Sequence, residues 1–388
     1  MGVEAVLLDL DGTLLLPSGE AVPGVPEMMQ ELREADISIA VASNRPGSES
    51  RLSAAGLSCD LFLHKGIVGA NKGSPKWITK ACDHFGVAPN QIIALGDSDP
   101  DMWSAANARV VYFHALWSTD WSYGLPIKSP ALFSLFVREC FAKDLNWYSR
   151  LETTDRRGRG VRVFAMLDGR SPLRSDLLGF LKYHGNPKVG PIGSKGFVMA
   201  HLLASVYGDG LSAEPDLWSI YPGSSGGPNR IMGPYIETGA KLFKDLFLSD
   251  LLVRHTPALD SGTARYAGGT PTFWNQINTV HVNPSYRDKI AGKCVLLIDD
   301  FTTDGYSLEC ARNLLLEAGA SDVVAAVIGR YRTRQSVYTP VDGYAWDPFV
   351  PTSHDPSSFL KDVAAGTNDD DAREALIESY SRVAALPS

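Results

Sequence analysis

The chain has few cysteines, and none is placed as a metal-binding or disulfide pattern requires. Five cysteines occur among 388 residues, and no two of them form a C-x-x-C pair. Scattered thiols argue against a zinc site and against a disulfide framework, and they suit a reducing compartment. We therefore expect a cytoplasmic protein. The cysteines are Cys59, Cys82, Cys140, Cys294 and Cys310.

Long apolar runs are also missing. No segment approaches the roughly 20 apolar residues that a membrane-spanning helix needs. The first apolar stretch is interrupted by Glu4, Asp9 and Asp11, which does not fit a signal peptide. The sequence shows no internal repeat and no low-complexity tract. We expect no membrane partner and roughly two or three domains for a chain of this length.

An excess of basic residues is absent as well. The formal net charge is −8, which argues against a surface that wraps a polyanion. Nucleic acid is therefore not the expected partner, although a local basic patch is compatible with this balance.

Near the start of the chain, two carboxylates follow a run of apolar residues typical of a buried parallel strand, Val6–Leu8. Asp9 and Asp11 alternate, so in a strand they share one face, and Gly12 permits a sharp turn after them. Two interpretations stay open at this point. The pair is either a polar strand end that begins a turn, or a metal-binding site where one carboxylate attacks and the other handles a proton.

Polar residues follow two further strands. Ser43 ends a predicted strand at residues 37–42, where a hydroxyl can donate to a phosphate oxygen or simply cap a helix. Asp97 and Asp101 follow a predicted strand at residues 91–95. Acids with this spacing favour a hard cation with oxygen ligands, although turns rich in Asp and Pro are common.

A lysine precedes a predicted helix between these strands. Lys72 opens the segment Lys72–Trp77, and the helix is predicted to run to about His84. It is either a solvated surface charge or a cation that neutralises neighbouring carboxylates and a phosphate.

Together these stretches resemble the haloacid dehalogenase superfamily of phosphotransferases over about residues 1–120. The matching motifs are D-x-D-G-T, a strand-terminal serine, K-x-x-P and G-D-S-x-x-D, in that order. The resemblance implies a carboxylate nucleophile and a Mg²⁺ cofactor, and an acid at position 11 favours a phosphatase. It implies Asp9 as the nucleophile that forms an aspartyl-phosphate, Asp11 as general acid/base, Ser43, Asn44 and Lys72 (with Lys76 as an alternative) as phosphate ligands, and Asp9, Asp11, Asp97 and Asp101 around the metal.

The spacing between these motifs leaves no room for a cap domain. Between Thr13 and the strand at 37–42 there is space for a short flap and one helix, and between Ser43 and Lys72 for one helix and one strand. A capless member has an open site, which suits a large substrate or a lid from a neighbouring domain.

The second half has its own strand, loop and helix. An apolar strand at residues 294–298 leads into Asp299 and Asp300, then into a loop of Thr, Gly and Ser before a helix at 308–318. Such a loop can hold an anion with backbone N–H groups, and adjacent acids can accept hydrogen bonds from two ribose hydroxyls. The pattern therefore favours a sugar-phosphate site over a generic strand–loop–helix.

This stretch resembles the phosphoribosyl-pyrophosphate (PRPP) loop of type I phosphoribosyltransferases, and the similarity extends over about residues 215–330. It departs from the usual pattern at Asp304, where Thr is commoner and where a carboxylate would repel a 5′-phosphate unless it points away. The resemblance implies Asp299 and Asp300 on the ribose hydroxyls, Thr303, Asp304, Gly305, Tyr306 and Ser307 on the 5′-phosphate, Gly223, Ser224 and Ser225 in the pyrophosphate loop, and Arg265 in a mobile loop.

The predicted fold class is α/β, with two doubly wound parallel-sheet (Rossmann-like) domains. We expect a phosphatase domain at residues 1–125, a helical connector at 126–160, and a phosphoribosyltransferase-like domain with a C-terminal extension at 161–388. The resulting hypothesis is a bifunctional enzyme that makes a nucleotide-like product from PRPP and a base and dephosphorylates it to a nucleoside. Two alternatives remain: a phosphatase regulated by a non-catalytic phosphoribosyl-binding domain, and a nucleic-acid end-processing phosphatase.

Overall fold

A computed structural model describes residues 2–120, 123–142, 147–173, 193–227, 232–258 and 272–385. The described chain forms two extended β-sheets flanked by helices, one from each half of the sequence. Residue 265 and most of the predicted mobile loop lie outside the described residues.

The first sheet is entirely parallel, as the sequence predicts. Its strand order is β3-β2-β1-β4-β5-β6, so the first strand lies between the second and the fourth. Every residue of the first strand is buried, which explains its continuous apolar run. The strands are β1 (Ala5–Asp9), β2 (Ser38–Ser43), β3 (Leu61–His64), β4 (Ile92–Gly96), β5 (Tyr112–Ala115) and β6 (Leu125–Ile127).

Helices follow the strands of this sheet. The first buries Val25, Met28, Met29 and Leu32, the spacing of a single apolar stripe. The helices are α1 (Val25–Glu34), α2 (Glu49–Ala54), α3 (Lys65–Val68), α4 (Lys76–Phe85), α5 (Asp99–Asn107) and α6 (Pro130–Phe136). Residues 2–120 are all described, and they contain no cap domain: the flap before α1 holds only isolated bridges at Leu15, and α2 alone separates β2 from β3.

The second sheet is mixed, which corrects the prediction of a second all-parallel sheet. Its order is β10-β9-β13-β14-β8-β7-β17; the first five are mutually parallel, whereas β7 is antiparallel to both neighbours. The strands are β7 (Ser149–Thr154), β8 (Gly160–Asp168), β9 (Leu217–Ile220), β10 (Leu246–Leu248), β13 (Cys294–Thr302), β14 (Asp322–Arg330) and β17 (Thr367–Asn368).

Two antiparallel strand pairs and further helices complete the second half. The pairs are β11 (Leu252–Arg254) with β12 (Val280–Val282), and β15 (Arg334–Pro340) with β16 (Phe359–Ala365). The helices are α7 (Gly193–Gly208), α8 (Gly233–Leu242), α9 (Trp274–Ile277), α10 (Arg287–Ile290), α11 (Tyr306–Glu317) and α12 (Asp370–Ala384). A search of the described helices finds none with the length and apolar character needed to cross a membrane.

The predicted helical connector differs from what the structure shows. Within the predicted connector at 126–160, helix α6 ends at Phe136 and is followed by a π-helical turn, Val137–Phe141. Strand β7 then begins at Ser149 and pairs with β8. Strands β7 and β8 therefore form a hairpin over residues 149–168, in which Leu151, Thr153 and Thr154 lie opposite residues of β8. The division of the chain into domains stays a prediction.

The two halves share one apolar core. Buried residues of the first sheet and of the second, such as Leu7 and Trp218, belong to the same hydrophobic cluster. The buried hydroxyl of Tyr207 in α7 donates to the backbone carbonyl of Ile92 in β4. Arg109, in the first half, pairs with Asp245 in the second at 2.8 Å. These contacts fix the two sheets against one another.

Candidate functional site

Asp9 lies at the carboxyl end of β1, in the centre of the first sheet. The residue is 7% exposed. Its Oδ2 accepts a hydrogen bond from Thr13 Oγ1 at 3.2 Å, and its Oδ1 accepts one from Lys72 Nζ. Burial first, then the charge of Asp101, raises the pKa of Asp9 to about 8, although Lys72 opposes the shift.

Lys72 connects two of these carboxylates. Its side chain is 7% exposed, and its Nζ lies 2.7 Å from Asp101 Oδ1 while also contacting Asp9. Burial alone would lower the pKa of this ammonium group, but the two carboxylates outweigh burial and the pKa lies above its ordinary value. Lys72 is therefore a fixed positive charge beside Asp9, as its position in the motif suggests.

Three acids form a potential metal site. Carboxylate oxygens of Asp9, Asp97 and Asp101 all lie within 4.8 Å of one another. Burial raises the pKa of Asp97, and the charge of Asp101 adds to that rise against a hydrogen bond from Ser118. One buried ammonium cannot neutralise three carboxylates, and carboxylate oxygens are the ligands that Mg²⁺ prefers. The donor set therefore fits a divalent cation.

Asp11 does not join this cluster, although the resemblance had suggested it as a metal ligand. Its Oδ1 pairs with Arg51 Nη1 at 2.6 Å, and its Oδ2 accepts a hydrogen bond from Ser43 Oγ at 3.4 Å. The side chains of Arg51 and Asp11 are 35% and 40% exposed, respectively. The Asp11 carboxylate is thus partly exposed and held by Arg51 and Ser43, and it is not one of the three grouped acids.

The phosphate-binding candidates fall into two groups. The Ser43 hydroxyl is buried, and its oxygen also accepts a hydrogen bond from the backbone N–H of Arg45 at 3.3 Å. Asn44 is exposed, and its Oδ1 accepts the backbone N–H of Lys72 at 3.1 Å. Ser43 therefore lies beside the acids, whereas Asn44 positions the loop that carries Lys72.

Gly12 is required where the chain turns beneath Asp97. Its φ is +89°, and a Cβ at this position would lie 2.1 Å from Asp97 Oδ2 and 2.6 Å from Ser118 Oγ. Only glycine combines this backbone conformation with such a close approach. The glycine of the D-x-D-G-T motif thus makes room for the third acid of the cluster.

Two residues of the site escape sequence reasoning. Arg51 lies on α2, eight residues after Ser43, and Ser118 lies in the segment after β5, where its Oγ donates to Asp97 Oδ2 at 2.5 Å. Neither belongs to a recognisable motif. Ser118 follows the end of β5, which pairs with β4, and this position after a strand is the one sequence signal that points to it.

In the second half, Asp299 and Asp300 lie near the carboxyl end of β13. Asp299 Oδ2 accepts a hydrogen bond from Ser307 Oγ at 2.9 Å, which ties the acid to the start of α11. Burial, together with the charge of Asp300, raises the pKa of Asp299 to about 7. The structure thus brings together the acids and the end of the predicted phosphate loop.

The loop between these elements also carries Asp304. Its carboxylate pairs with Arg332 at 2.6 Å, with side chains 27% and 60% exposed, respectively. Gly305 has φ +77° and is the N-cap residue just before α11, and a Cβ on Gly305 would lie 2.4 Å from Gln335 Cδ. Tyr306 follows Gly305 in the first turn of that helix, and Thr303 precedes Asp304 in the loop. The Arg332 pairing offsets the charge that Asp304 brings to the loop.

The predicted pyrophosphate loop lies at the same sheet edge. It follows β9, which pairs directly with β13. The Gly223 carbonyl accepts a hydrogen bond from Arg254 Nε at 2.8 Å. The Ser224 carbonyl accepts one from the backbone N–H of Ala258 at 2.9 Å. Ser225 is exposed. Arg254 is the last residue of β11, which pairs with β12, and it is a further residue that the sequence pattern does not reveal.

Comparisons with known proteins agree with the first half of this description. A haloacid dehalogenase-like hydrolase family model matches residues 17–115, so the matched region begins after Asp9 and Asp11. The N-terminal region of the chain is therefore a haloacid dehalogenase-like hydrolase domain with a parallel α/β sheet. A search of curated proteins gives no match.

Several solved structures are similar to about a third of the chain. A haloacid dehalogenase-superfamily hydrolase from Geobacter sulfurreducens is 17% identical over 34% of this chain and 97% of its own, with a TM-score of 0.31. One from Ehrlichia chaffeensis is 17% identical over 35% and 96%, with a TM-score of 0.31. The cobalt-bound deoxy-D-mannose-octulosonate 8-phosphate phosphatase of Haemophilus influenzae is 22% identical over 29% and 69%, with a TM-score of 0.24.

Proposed function

We propose that the N-terminal domain is a Mg²⁺-dependent phosphatase in which Asp9 forms an aspartyl-phosphate. The observation that carries the proposal is the position of Asp9. It is buried at a strand end, it contacts Lys72, and it lies within one cluster with Asp97 and Asp101. Phosphoryl transfer depends mainly on positioning and charge neutralisation, and this cluster supplies both.

The first step is transfer of the phosphoryl group to Asp9. A carboxylate oxygen of Asp9 forms a bond to phosphorus as the bond from phosphorus to the substrate oxygen breaks. Asp11 gives its proton to the departing oxygen, so the product leaves as an alcohol. Lys72 and the Ser43 hydroxyl stabilise the charge on the transferring group.

The second step releases phosphate. Asp11, now a carboxylate, takes a proton from water, whose oxygen bonds to phosphorus as the bond to Asp9 breaks. Inorganic phosphate leaves, Asp11 is protonated again, and Asp9 is regenerated. A divalent cation held by Asp9, Asp97 and Asp101 would supply charge neutralisation for the phosphoryl oxygens.

For the second half we propose a phosphoribosyltransferase that uses PRPP. The support is the shared sheet edge, where Asp299 and Asp300 lie beside the start of α11 and the Gly223 loop follows the neighbouring strand. The pairing of Asp304 with Arg332 removes part of the objection that a carboxylate repels a 5′-phosphate. The two halves together would make a nucleotide-like product and dephosphorylate it to a nucleoside, with small molecules as substrates.

The phosphatase is tested by phosphate release with Mg²⁺ from nucleoside monophosphates, sugar phosphates and 3′-phosphorylated oligonucleotides. Wild type is compared with Asp9→Asn and with Asp83→Asn, an exposed acid on α4. We expect release that Asp9→Asn abolishes and Asp83→Asn retains. Activity confined to oligonucleotides would favour end-processing, and equal activity in Asp9→Asn would refute the mechanism.

The transferase is tested separately by pyrophosphate release from PRPP across a panel of bases. We expect Asp300→Asn to lose this activity while Asp9→Asn keeps it, because the two acids lie on different sheets. Tight PRPP binding without pyrophosphate release for any base would instead favour a regulatory, non-catalytic second half.

A further inference from the structure

A basic pocket opens at the carboxyl edge of the second sheet, away from the acids of the first. Its volume is about 310 Å³. The ends of β8 and β14 form it together with the start of β7, which reaches this edge because β7 runs antiparallel to β8. A cavity of this size matches the lower end of the range typical for small-molecule sites.

The charge of the pocket is strongly one-sided. Four arginines line it against a single aspartate, Asp168. One oxygen of that aspartate already accepts the backbone N–H of Arg170 at 2.9 Å, which closes the turn after β8. The arginines are Arg170, Arg330, Arg332 and Arg334. Such a wall is suited to an anion, because each guanidinium offers paired N–H donors.

Arg330 is the most informative of these residues. It is 2% exposed, and its Nε donates to the backbone carbonyl of Arg332 at 2.5 Å. Neither Nη1 nor Nη2 has a hydrogen-bond partner among the residues that the structure describes. Burial lowers the pKa of Arg330 to about 10, and at neutral pH the group is still a cation.

A buried cation without a partner is costly to a fold. Breaking a buried ion pair to leave such a charge destabilises proteins by several kcal/mol, so arginines are almost never buried unless paired. The arrangement is explained if a ligand supplies the missing acceptor.

Other polar groups around the pocket are already held in place. Tyr148 is buried, and its hydroxyl oxygen accepts Asn368 Nδ2 at 2.7 Å, so its own proton can be donated. Arg332 pairs with Asp304 of the loop before α11 at 2.6 Å. The pocket is therefore connected to the Asp304 loop by one ion pair.

We propose that this pocket binds a small anion whose carboxylate or phosphoryl group pairs with Arg330, with Arg170 and Arg334 as further donors. The site is distinct from the acid cluster of the first sheet. It does not rest on either proposed activity, since it is defined by its own cavity and by the two Nη atoms of Arg330, which have no hydrogen-bond partner among the described residues.

The test uses the full-length protein and three probes: inorganic phosphate, pyrophosphate and succinate. Thermal unfolding is followed with and without each probe at tens of millimolar, because a ligand that binds only the folded state raises Tm. The variants are Asp9→Asn, Arg330→Met, Arg334→Ala and Arg287→Ala, the last an exposed arginine elsewhere on the second half. Calorimetric titration gives the affinity for each probe.

We expect at least one probe to raise the Tm of wild type, Asp9→Asn and Arg287→Ala equally. Arg330→Met should lose this rise and, without a probe, should unfold at a higher temperature than wild type because the unpaired buried charge is gone. Arg334→Ala, which keeps Arg330, should bind the same probe several-fold more weakly. A phosphate-only response identifies a phosphorylated ligand, and a succinate response identifies a carboxylate.

The proposal would be overturned by the absence of a Tm rise in wild type with any probe, by a full rise retained by Arg330→Met, or by equal affinity in Arg334→Ala and Arg287→Ala. If Arg330→Met does not fold, Arg334→Ala still decides the question by titration. Loss of the response in Asp9→Asn alone would assign the probe to the phosphatase site and would also count against this pocket.

Discussion

The Arg51 guanidinium pairs with the Asp11 carboxylate at 2.6 Å, and Asp11 is not one of the three grouped acids Asp9, Asp97 and Asp101. The arrangement gives different surroundings to the two carboxylates for which we propose different roles, nucleophile and general acid/base. Asp9 is buried among carboxylates and a lysine, whereas the Asp11 side chain is partly exposed and accepts a hydrogen bond from the buried Ser43 hydroxyl. Arg51 is therefore a positioning residue for the proposed general acid/base.

Replacing Arg51 by Ala should lower kcat about tenfold by releasing Asp11 from its position. The pair is partly exposed, so the free energy of unfolding should change by less than about 1 kcal/mol. Arg33→Ala, an exposed arginine on α1, is the matched control and should keep full activity. Steady-state kinetics and denaturant unfolding check both values; an Arg51→Ala enzyme as active as the control would contradict the assignment.

Gly12→Ala should abolish metal binding and activity, since its Cβ would overlap Asp97 Oδ2. Gly19→Ala is a close control, because Gly19 has the same φ of +89° and open space around it. Each substitution should cost about 1–3 kcal/mol through backbone strain. Mg²⁺ titration should separate them; comparable Mg²⁺ affinity in the two variants would refute the role given to Gly12.

Mg²⁺ should stabilise the folded protein through the acid cluster. At a hundred times Kd the expected gain is about 2.7 kcal/mol. Asp97→Asn and Asp101→Asn should lose most of this gain, whereas Asp99→Asn, an exposed neighbour at the start of α5, should retain it. Thermal unfolding with and without Mg²⁺ measures the difference, and a gain retained by Asp101→Asn would argue against this cluster as the metal site.

The raised pKa of Asp9 predicts how the stability of the metal-free protein depends on pH. The folded state keeps a proton on Asp9 that the unfolded chain has lost, so stability falls as pH rises from about 4 to about 8. Lys72 is protonated in both states over this range and adds no slope. Asp9→Asn should flatten this decline, as measured by unfolding in EDTA; an equal decline in both proteins would be incompatible with the shift.

The contact between Arg109 and Asp245 should matter to the stability of the whole chain. The Asp245 side chain is 2% exposed, and burial raises its pKa to about 6 against the opposing charge of Arg109. Arg109→Ala should cost about 1–3 kcal/mol, and more at about pH 8 than at about pH 5, because the ionised carboxylate loses its partner.

The control for this prediction is Arg138→Ala. It removes an ion pair with Glu31 whose side chains are each about a third exposed. That substitution should change stability by less than about 1 kcal/mol. Denaturant unfolding at both pH values compares the two variants, and equal losses would show that Arg109 contributes no more than a surface pair.

The sequence predicts the first sheet well because its strands are buried on both faces and read as apolar runs ending in polar residues. Strands β1, β2 and β4 lie where those runs predict. The sequence does not predict strand β7. Buried and exposed residues alternate along only part of Ser149–Thr154, and the preceding residues have a helical pattern. Its antiparallel pairing depends on a partner strand, which local sequence does not encode.

The site residues that the sequence predicts are those that follow a strand end or belong to a motif. Asp9, Asp97, Asp101 and Lys72 follow strand ends or a motif, and the structure brings them together. The sequence does not single out Arg51 or Arg330, because what makes each notable is the group that lies next to it in the folded chain, which is distant in sequence. The sequence also does not reveal that Asp11 pairs with Arg51. Residues two apart share a face only within a strand, and β1 ends at Asp9.

We propose that Asp9 carries the phosphoryl group during turnover. The proposal is tested by acid quenching of wild type during turnover of an active phosphomonoester with Mg²⁺, followed by borohydride reduction and peptide mass spectrometry. We expect a phosphoryl group on Asp9, converted by reduction to homoserine at that position and absent from Asp9→Asn. A phosphoryl group on another residue during turnover, or undiminished phosphate release by Asp9→Asn, would refute the proposal.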